Sequence, residues 1–372
     1  MGAKVRIEGL DLQVVGHGRI VYLGDLSPER YADPEDAQDL FVATLEGTGP
    51  AQLSSLRSAL VKWRGRHGEP DRPVNVALSP DPEESFSPED PTGQSILLLA
   101  GERLLVQTWA GVETKPGRET IHRLLSPLLE RHGASSVDVG LEQYNTLAVD
   151  WPTRGRTVAD AWRFHDELTT LLSAAEDGEL TPSTTLDILR AGRWDLLRGQ
   201  PESGWLEAKA VPYDTGDDNV KYELGKDVAA MANSRRGGII VLGMSTSTKG
   251  KRNEVDTIGD VNELDLASIS RQQYRSLVAH RVHPSLSGFD VELIEGSAKD
   301  RGIAVLVIPP QAERKRPFLV QGVIADGNVL GHHVLLPWRR EDDTDAMDAG
   351  AIHARIRLGE QAIAGGEAPP LS

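Results

Sequence analysis

Cysteine is absent from the 372 residues, which removes disulfides, thiolate nucleophiles and cysteine zinc sites in one step. Any metal would have to be held by oxygen or histidine. Aromatic residues are sparse, at 5%. No apolar run reaches the roughly 18 residues that would span a bilayer. The opening MGAKVRIEGL lacks the apolar core and cleavage site of a secretory signal, so the expectation is a cytoplasmic protein with no membrane partner. A phosphate-binding Gly-x4-Gly-Lys-Ser/Thr loop is missing too: Gly225-Lys226 is followed by Asp227, and Val220 stands where the first glycine would be. A P-loop ATPase is thereby excluded.

What is present is ordinary for a globular chain: 39% hydrophobic and 26% charged residues. The length exceeds what one core usually serves, so two globular domains are expected. We place an α+β domain at residues 1–175, a second domain at 176–358 and a Gly- and Pro-containing flexible tail at 359–372. The net charge of −16 argues against a chain that coats nucleic acid over its whole surface. The charge is uneven, however: about −11 over residues 1–200, near zero over 201–340 and about −5 beyond. The middle segment has room for a basic patch. Arginine outnumbers lysine about threefold, which a GC-rich genome explains as readily as a need for guanidinium contacts.

Apolar runs at Lys4–Leu10 and Arg19–Leu23 read as short strands, and Gln52–Trp63 as a helix. Ser79–Gly93 has four prolines and five acids and reads as a solvated loop. Gly101-Glu102 joins two strands, Ser95–Ala100 and Arg103–Trp109, as a hairpin. Ile121, Leu124, Leu125, Leu128 and Leu129 predict a helix over Glu119–Arg131 that stops at Gly133. Val158, Trp162, Leu168, Leu171 and Leu172 predict another over Thr157–Ala175. Glu176–Ser183 breaks the pattern, and Thr184–Leu197 reads as a helix leading into the second domain.

In ESGWLEAKA, starting at Glu202, strand alternation puts Trp205, Glu207 and Lys209 on one face. A carboxylate beside an ammonium suits phosphodiester hydrolysis, the acid ligating Mg²⁺ or Mn²⁺ and the lysine orienting water or steadying charge. Glu202 offers a second ligand. Exposed strands often carry such pairs for no reason but solvation, so the order of the elements downstream carries more weight. A helix marked by Val220, Leu224, Val228 and Met231 ends in Ala232-Asn233-Ser234, then Arg235-Arg236-Gly237-Gly238 leads into an apolar strand closing on Gly243. Further along come the strand Ile303–Ile308, Pro309-Pro310, the basic Arg314-Lys315-Arg316-Pro317, and a closing stretch from Arg339 to Ile356.

This order resembles the AlbA_2 domain of Schlafen and Schlafen-like proteins over roughly residues 184–357. The resemblance implies an α+β fold with a mixed sheet and flanking helices that binds RNA or DNA. In some members three carboxylates support metal-dependent endoribonuclease activity. Two of these match Glu202 and Glu207, which would be the catalytic and metal-holding residues, with Lys209 beside them. The third normally follows the Gly-Gly strand, where this chain reads Gly243-Met244-Ser245-Thr246-Ser247-Thr248. Asp256 and Asp260 are the acids that could replace it; two carboxylates alone leave Mg²⁺ mostly hydrated.

For nucleic acid the expected contacts are Asn233, Arg235, Arg236, Gly237, Gly238, Lys249, Lys251 and Arg252, the glycines through close backbone approach to phosphate or merely as a tight turn. Arg314, Lys315 and Arg316 would extend that track. His332-His333 and the acids of Glu341–Asp348 lack the spacing of a zinc or calcium site. The partners in view are RNA or DNA, a protein for the acidic N-terminal domain, and a second copy of the chain. The sequence leaves two other functions open: a protein-interaction module without nucleic-acid binding, and nucleotide (ATP) binding at the Gly-Gly turn. The leading expectation is a Schlafen-like nucleic-acid-binding protein, a metal-dependent endoribonuclease or a degenerate nuclease, in bacterial defence or regulation.

Overall fold

The computed structural model describes residues 4–7, 10–14, 20–23, 39–67, 74–79, 95–109, 118–137, 146–175, 179–247, 255–322, 324–325, 328–329, 334–340, 343–348, 350, 352–354 and 357. The chain forms two compact units, Met1–Glu179 and Leu180–Ser372, each mixing helix and sheet, so the fold is α+β.

The first unit is built on nine strands: β1 (Lys4–Ile7), β2 (Leu10–Val14), β3 (Ile20–Leu23), β4 (Asp39–Thr44), β5 (Val74–Ser79), β6 (Ser95–Ala100), β7 (Arg103–Trp109), β8 (Ser135–Val137) and β9 (Thr146–Asp150). They lie in the order β1-β2-β3-β4-β5-β6-β7-β9-β8. β3, β4 and β5 run parallel to one another, and α1 (Leu45–Thr48) with α2 (Leu53–His67) makes the crossover that a parallel β4–β5 pair requires. The β6–β7 hairpin turns at Gly101-Glu102, as its sequence predicts, with Gly101 at φ +58°. α3 (Arg118–His132) buries Leu124, Leu125, Leu128 and Leu129 and is followed by Gly133 at φ +62°. α4 (Val158–Ala174) begins in a capping box between Thr157 and Asp160, which satisfies two backbone N–H groups left open at a helix start. Phe164, not Trp162, fills its buried stripe. The predicted first strand divides into β1 and β2, and the acidic loop lies outside the described residues from 80 onward.

The second unit opens with α5 (Pro182–Arg190), capped by Thr181. The single helix expected to reach Leu197 is interrupted at Gly192, whose φ of +72° ends it; a 3-10 turn, Trp194–Leu197, comes next. Two parallel strands, β10 (Leu206–Lys209) and β11 (Gly238–Leu242), are joined by α6 (Asp218–Asn233). A hairpin of β12 (Met244–Ser247) and β13 (Thr257–Val261) and the short β14 (Leu264–Asp265) lead to α7 (Arg271–Arg281). Beyond it come β15 (Val282–His283), β16 (Asp290–Glu295) and β17 (Arg301–Ile308). β17 is the spine of the sheet, with β16 on one side and β11 and β14 end to end on the other. After it, β18 (Leu319–Gln321), β19 (Ile324–Ala325), β20 (Asn328–Val329) and β21 (Val334–Leu335) make small pairings, and β22 (Pro337–Arg340) with β23 (Asp343–Ala346) closes the unit as a hairpin.

The core of this unit lies between the sheet and the two long helices. Leu224, Val228 and Met231 of α6 meet Ile240, Leu242, Leu306 and Ile308 of the sheet, and Tyr274 and Val278 of α7 complete it. Five consecutive buried residues in β11 fit a strand covered on both faces.

Candidate nucleic-acid interface and its buried ion network

Glu207 and Lys209 project from the same face of β10, with Lys209 Nζ 2.5 Å from Glu207 Oε1, as alternation predicts. The pair does not stand in open solvent. Glu207 is 7% exposed, and its other oxygen accepts from Arg339, whose Nε also donates to the Ser203 carbonyl at 3.2 Å. Lys209 reaches Asp227 of α6 at 3.5 Å. Asp227 in turn accepts from the buried Tyr213 hydroxyl at 2.7 Å, and the Tyr274 hydroxyl donates to the Tyr213 carbonyl. The network therefore ties β10, α6, α7 and β22 together through charge-assisted bonds in a low-dielectric setting, where such bonds are strong.

Glu202 is buried beside this network and accepts the backbone N–H of Ala208 at 2.7 Å. Burial pushes its carboxyl up from about 4.5 to about 7; the Ala208 bond opposes this, and the Glu207 charge adds to it. Burial likewise raises Asp227 to about 6, with Glu207 adding and Lys209 opposing. For Lys209 burial acts downward, but the carboxylates of Asp227 and Glu207 outweigh it, so the ammonium is held charged. Burial lifts the Tyr213 phenol well above its ordinary range.

The raised Glu202 carboxyl makes stability depend on pH. The native state keeps a proton on Glu202 between its ordinary value and about pH 7, so the unfolded chain binds fewer protons there and stability falls as pH rises through that window. Glu202→Gln retains an oxygen for Ala208 and cannot ionise. It is expected to remove about 2–3 kcal/mol of that decline between pH 5 and 8, read by urea unfolding at a series of pH values. A variant that keeps the wild-type slope would show that Glu202 titrates normally.

The same geometry tests whether a divalent cation fits. Both oxygens of Glu207 are engaged by cations, and an oxygen of Glu202 is engaged by a backbone N–H. Asp256 lies close enough for its charge to act on Glu202, and its carbonyl accepts the Glu202 N–H at 2.8 Å. Asp260 instead pairs with Arg198 at 2.6 Å. Among the described residues no group of three or more His, Asp or Glu is arranged to hold a metal ion. As arranged, Glu202 and Glu207 serve an internal ion network and do not fit Mg²⁺ or Mn²⁺, which need several unoccupied oxygens.

Asn233, expected at the nucleic-acid face, is buried: its amide donates to the carbonyls of Phe318 and Pro337, both at 2.9 Å, and accepts from the Phe318 N–H at 2.7 Å. It staples the end of α6 to β22 and to the chain entering β18. Gly237 and Gly238 are buried as well. A Cβ on Gly237 would stand 2.2 Å from the Ile308 carbonyl oxygen, and one on Gly238 2.7 Å from that of Trp205. The close backbone approach on the Cβ side is thus to neighbouring backbone of the same fold, and the tight-turn reading accounts for both glycines. Arg235 and Arg236 are exposed just before the turn. Lys249, Lys251 and Arg252 lie outside the described residues, as do His332 and His333. Of the second basic cluster Arg314 is exposed, Lys315 donates to Ser287 Oγ at 2.6 Å and Arg316 to the Gln311 carbonyl at 2.8 Å.

Sequence reasoning missed Asp227, Arg339 and Tyr213. Asp227 carries a readable signal: it is the one acid on the α6 stripe shared by Leu224, Val228 and Met231. Arg339, 132 residues from its partner Glu207, is legible in sequence only as the start of the closing stretch of the resemblance, and its pairing needs the fold.

Residues 202–347 match the family model described as Schlafen, AlbA_2, so this part of the chain is similar to that family, in line with the resemblance read from the sequence. The match begins at Glu202 and includes Arg339, the two ends of the network. No curated protein matches the chain significantly. Among solved structures, the crystal structure of the DIP2311 protein from Corynebacterium diphtheriae is similar over 45% of this chain and 27% of its own length, with 16% identity and a TM-score of 0.26. The similarity thus spans about a quarter of that protein. Among the described residues no helix is long and apolar enough to cross a membrane.

Proposed function

We propose that the second unit binds RNA or DNA through its surface arginines and does so without metal-dependent cleavage. The observation that carries this is the family match over residues 202–347 combined with the closed Glu207–Arg339–Lys209 network, in which the two carboxylates expected at a nuclease centre are already engaged by other groups. The near-neutral charge of residues 201–340 permits phosphate contact that the acidic remainder of the chain opposes. In this reading the network is scaffold: it fixes β10, α6 and β22 so that the loops between them present Arg235 and Arg236 at a defined place.

The experiment is incubation of the full chain with labelled transfer RNA and with single-stranded DNA, in Mn²⁺ or in EDTA, beside Glu202→Gln. Binding that weakens steeply with salt, equal in Mn²⁺ and EDTA and without shortening of the strand, is the expected result. Mn²⁺-dependent cutting abolished by Glu202→Gln would show that the network opens to admit a metal. Absence of binding in every condition would leave the protein-interaction module.

A further inference from the structure

Residues 266–289 contain three arginines, two histidines and no aspartate or glutamate, a local reversal of sign in a chain of net charge −16. Helix α7 lies in the middle of this stretch. The Ser270 hydroxyl accepts the Gln273 N–H at 3.2 Å, a cap that fixes where the helix starts. Tyr274 and Val278, one turn apart, are buried and anchor it to the core, with Leu277 packed beside them. Arg271, Gln272, Arg275, Ser276, Ala279 and His280 are exposed. At about 100° per residue these six make one continuous face, with Arg271 and Arg275 along one rim and small or uncharged side chains in its middle.

The two rim arginines meet at one acid. Arg275 Nη2 donates to Asp290 at the start of β16, and the same Asp290 oxygen accepts the Val291 N–H at 2.6 Å. Arg271, one turn earlier, lies near enough for its charge to act on Asp290 as well. Two cations therefore face one carboxylate and leave a positive charge over. Among the described residues Arg271 has no hydrogen bond or ion pair, and neither do the side chains of Gln272, Ser276 and His280. Arg275 uses one nitrogen on Asp290, and its side chain remains 51% exposed. Arg281 stands off this face, engaged by Asp218 at 3.7 Å and the Gln321 carbonyl at 3.5 Å.

A cationic rim on an acid-free helix complements a polyanion. The face carries no aromatic ring, Tyr274 being turned into the core, so it offers nothing on which an unpaired base could stack. What it offers is a rigid rod of roughly 16 Å whose cations keep a fixed spacing. A duplex already holds its phosphates in fixed positions, whereas a flexible single strand would have to be ordered against such a rod. We infer that the outward face of α7 docks on the backbone of double-stranded nucleic acid, with Arg271 and Arg275 as phosphate contacts and Gln272 and Ser276 as the polar groups beside them. This rests on the nucleic-acid reading proposed for the second unit and names its substrate class and contact surface.

The test is fluorescence anisotropy of the full chain over a salt series, with a labelled DNA duplex, an RNA duplex and a single strand of equal length. Wild type is compared with Arg271→Ala/Arg275→Ala, Ser276→Glu, Ser276→Lys and Ala298→Glu. Ala298 is exposed on the turn that follows β16, the strand running about 17 Å from Asp290, so its variant adds the same charge away from α7. Wild type is expected to bind both duplexes more tightly than the single strand. The arginine variant should flatten the salt dependence by about 0.9 in log–log slope for each phosphate no longer neutralised. Ser276→Glu sets a carboxylate among the phosphates and should weaken duplex binding about tenfold or more, whereas Ser276→Lys should tighten it. Ala298→Glu should stay within about twofold of wild type, since charges beyond a Debye length are screened. If both Ser276 variants bind as Ala298→Glu does, or if the single strand is the preferred ligand, the α7 surface is refuted while the nucleic-acid reading stands. If no nucleic acid binds at all, both fail together.

Discussion

Replacing Gly237 with alanine is expected to destabilise the second unit by about 3–5 kcal/mol, from two additive causes. Gly237 has φ +69°, where a non-glycine residue costs roughly 1–3 kcal/mol. The new Cβ would also fall 2.2 Å from the Ile308 carbonyl oxygen and 2.7 Å from the Pro309 carbonyl carbon, so β11 and β17 would have to separate at the first of their paired residues, Gly238 and Ile308. Overpacking of this kind costs about 1–3 kcal/mol where flexible side chains can give way, and here both obstacles are backbone. The Ser234 hydroxyl, which donates to the Gly237 carbonyl at 2.8 Å, holds the turn in place. Gly204→Ala is the control: nothing lies within 4 Å of its added Cβ and its φ is not positive. Urea unfolding of the two variants should place Gly204→Ala near wild type and Gly237→Ala far below it. Equal midpoints would mean that the 237–238 turn relaxes freely and is open to other roles.

The turn shows how far the sequence could be read. Residues whose roles depend on near neighbours were legible: the Gly101-Glu102 hairpin, α3 with its glycine stop, the span of α4, and the adjacency of Glu207 and Lys209 across one intervening residue. Asn233 is buried away from the surface expected for it, and of the two readings open for the glycine pair the structure fits the tight turn. Their chemistry, a bifunctional amide and side-chain-free backbone, serves close approach to any polar backbone, and sequence does not say whether that backbone is a strand of the same fold or a phosphodiester. Charge pairing was opaque for a similar reason. An arginine in PWRR reads as surface, and only the return of β22 against α6 and β10 makes Arg339 the partner of Glu207 and leaves Trp338 outside.

That pairing supports the second large effect. Arg339→Met is expected to cost about 3–5 kcal/mol, because Glu207 would be left buried with Lys209 as its single cation while Lys209 is shared with Asp227. Methionine matches much of the length of the arginine stem, so the loss is of charge and hydrogen bonds more than of volume. Glu207→Gln in the same chain removes the orphaned carboxylate. The double variant Glu207→Gln/Arg339→Met should therefore be more stable than the sum of the two single losses predicts, with a coupling of about 2–3 kcal/mol. The Arg339→Met loss should also change little between low and high salt, since the pair lies out of reach of mobile ions. Chemical unfolding of wild type, both single variants and the double variant closes the cycle. Simple additivity would show that Glu207 and Arg339 act independently, and would free Glu207 for a role at the surface. Strong coupling would mark the place where a nuclease would need an unpaired carboxylate as the joint that holds β22 against β10.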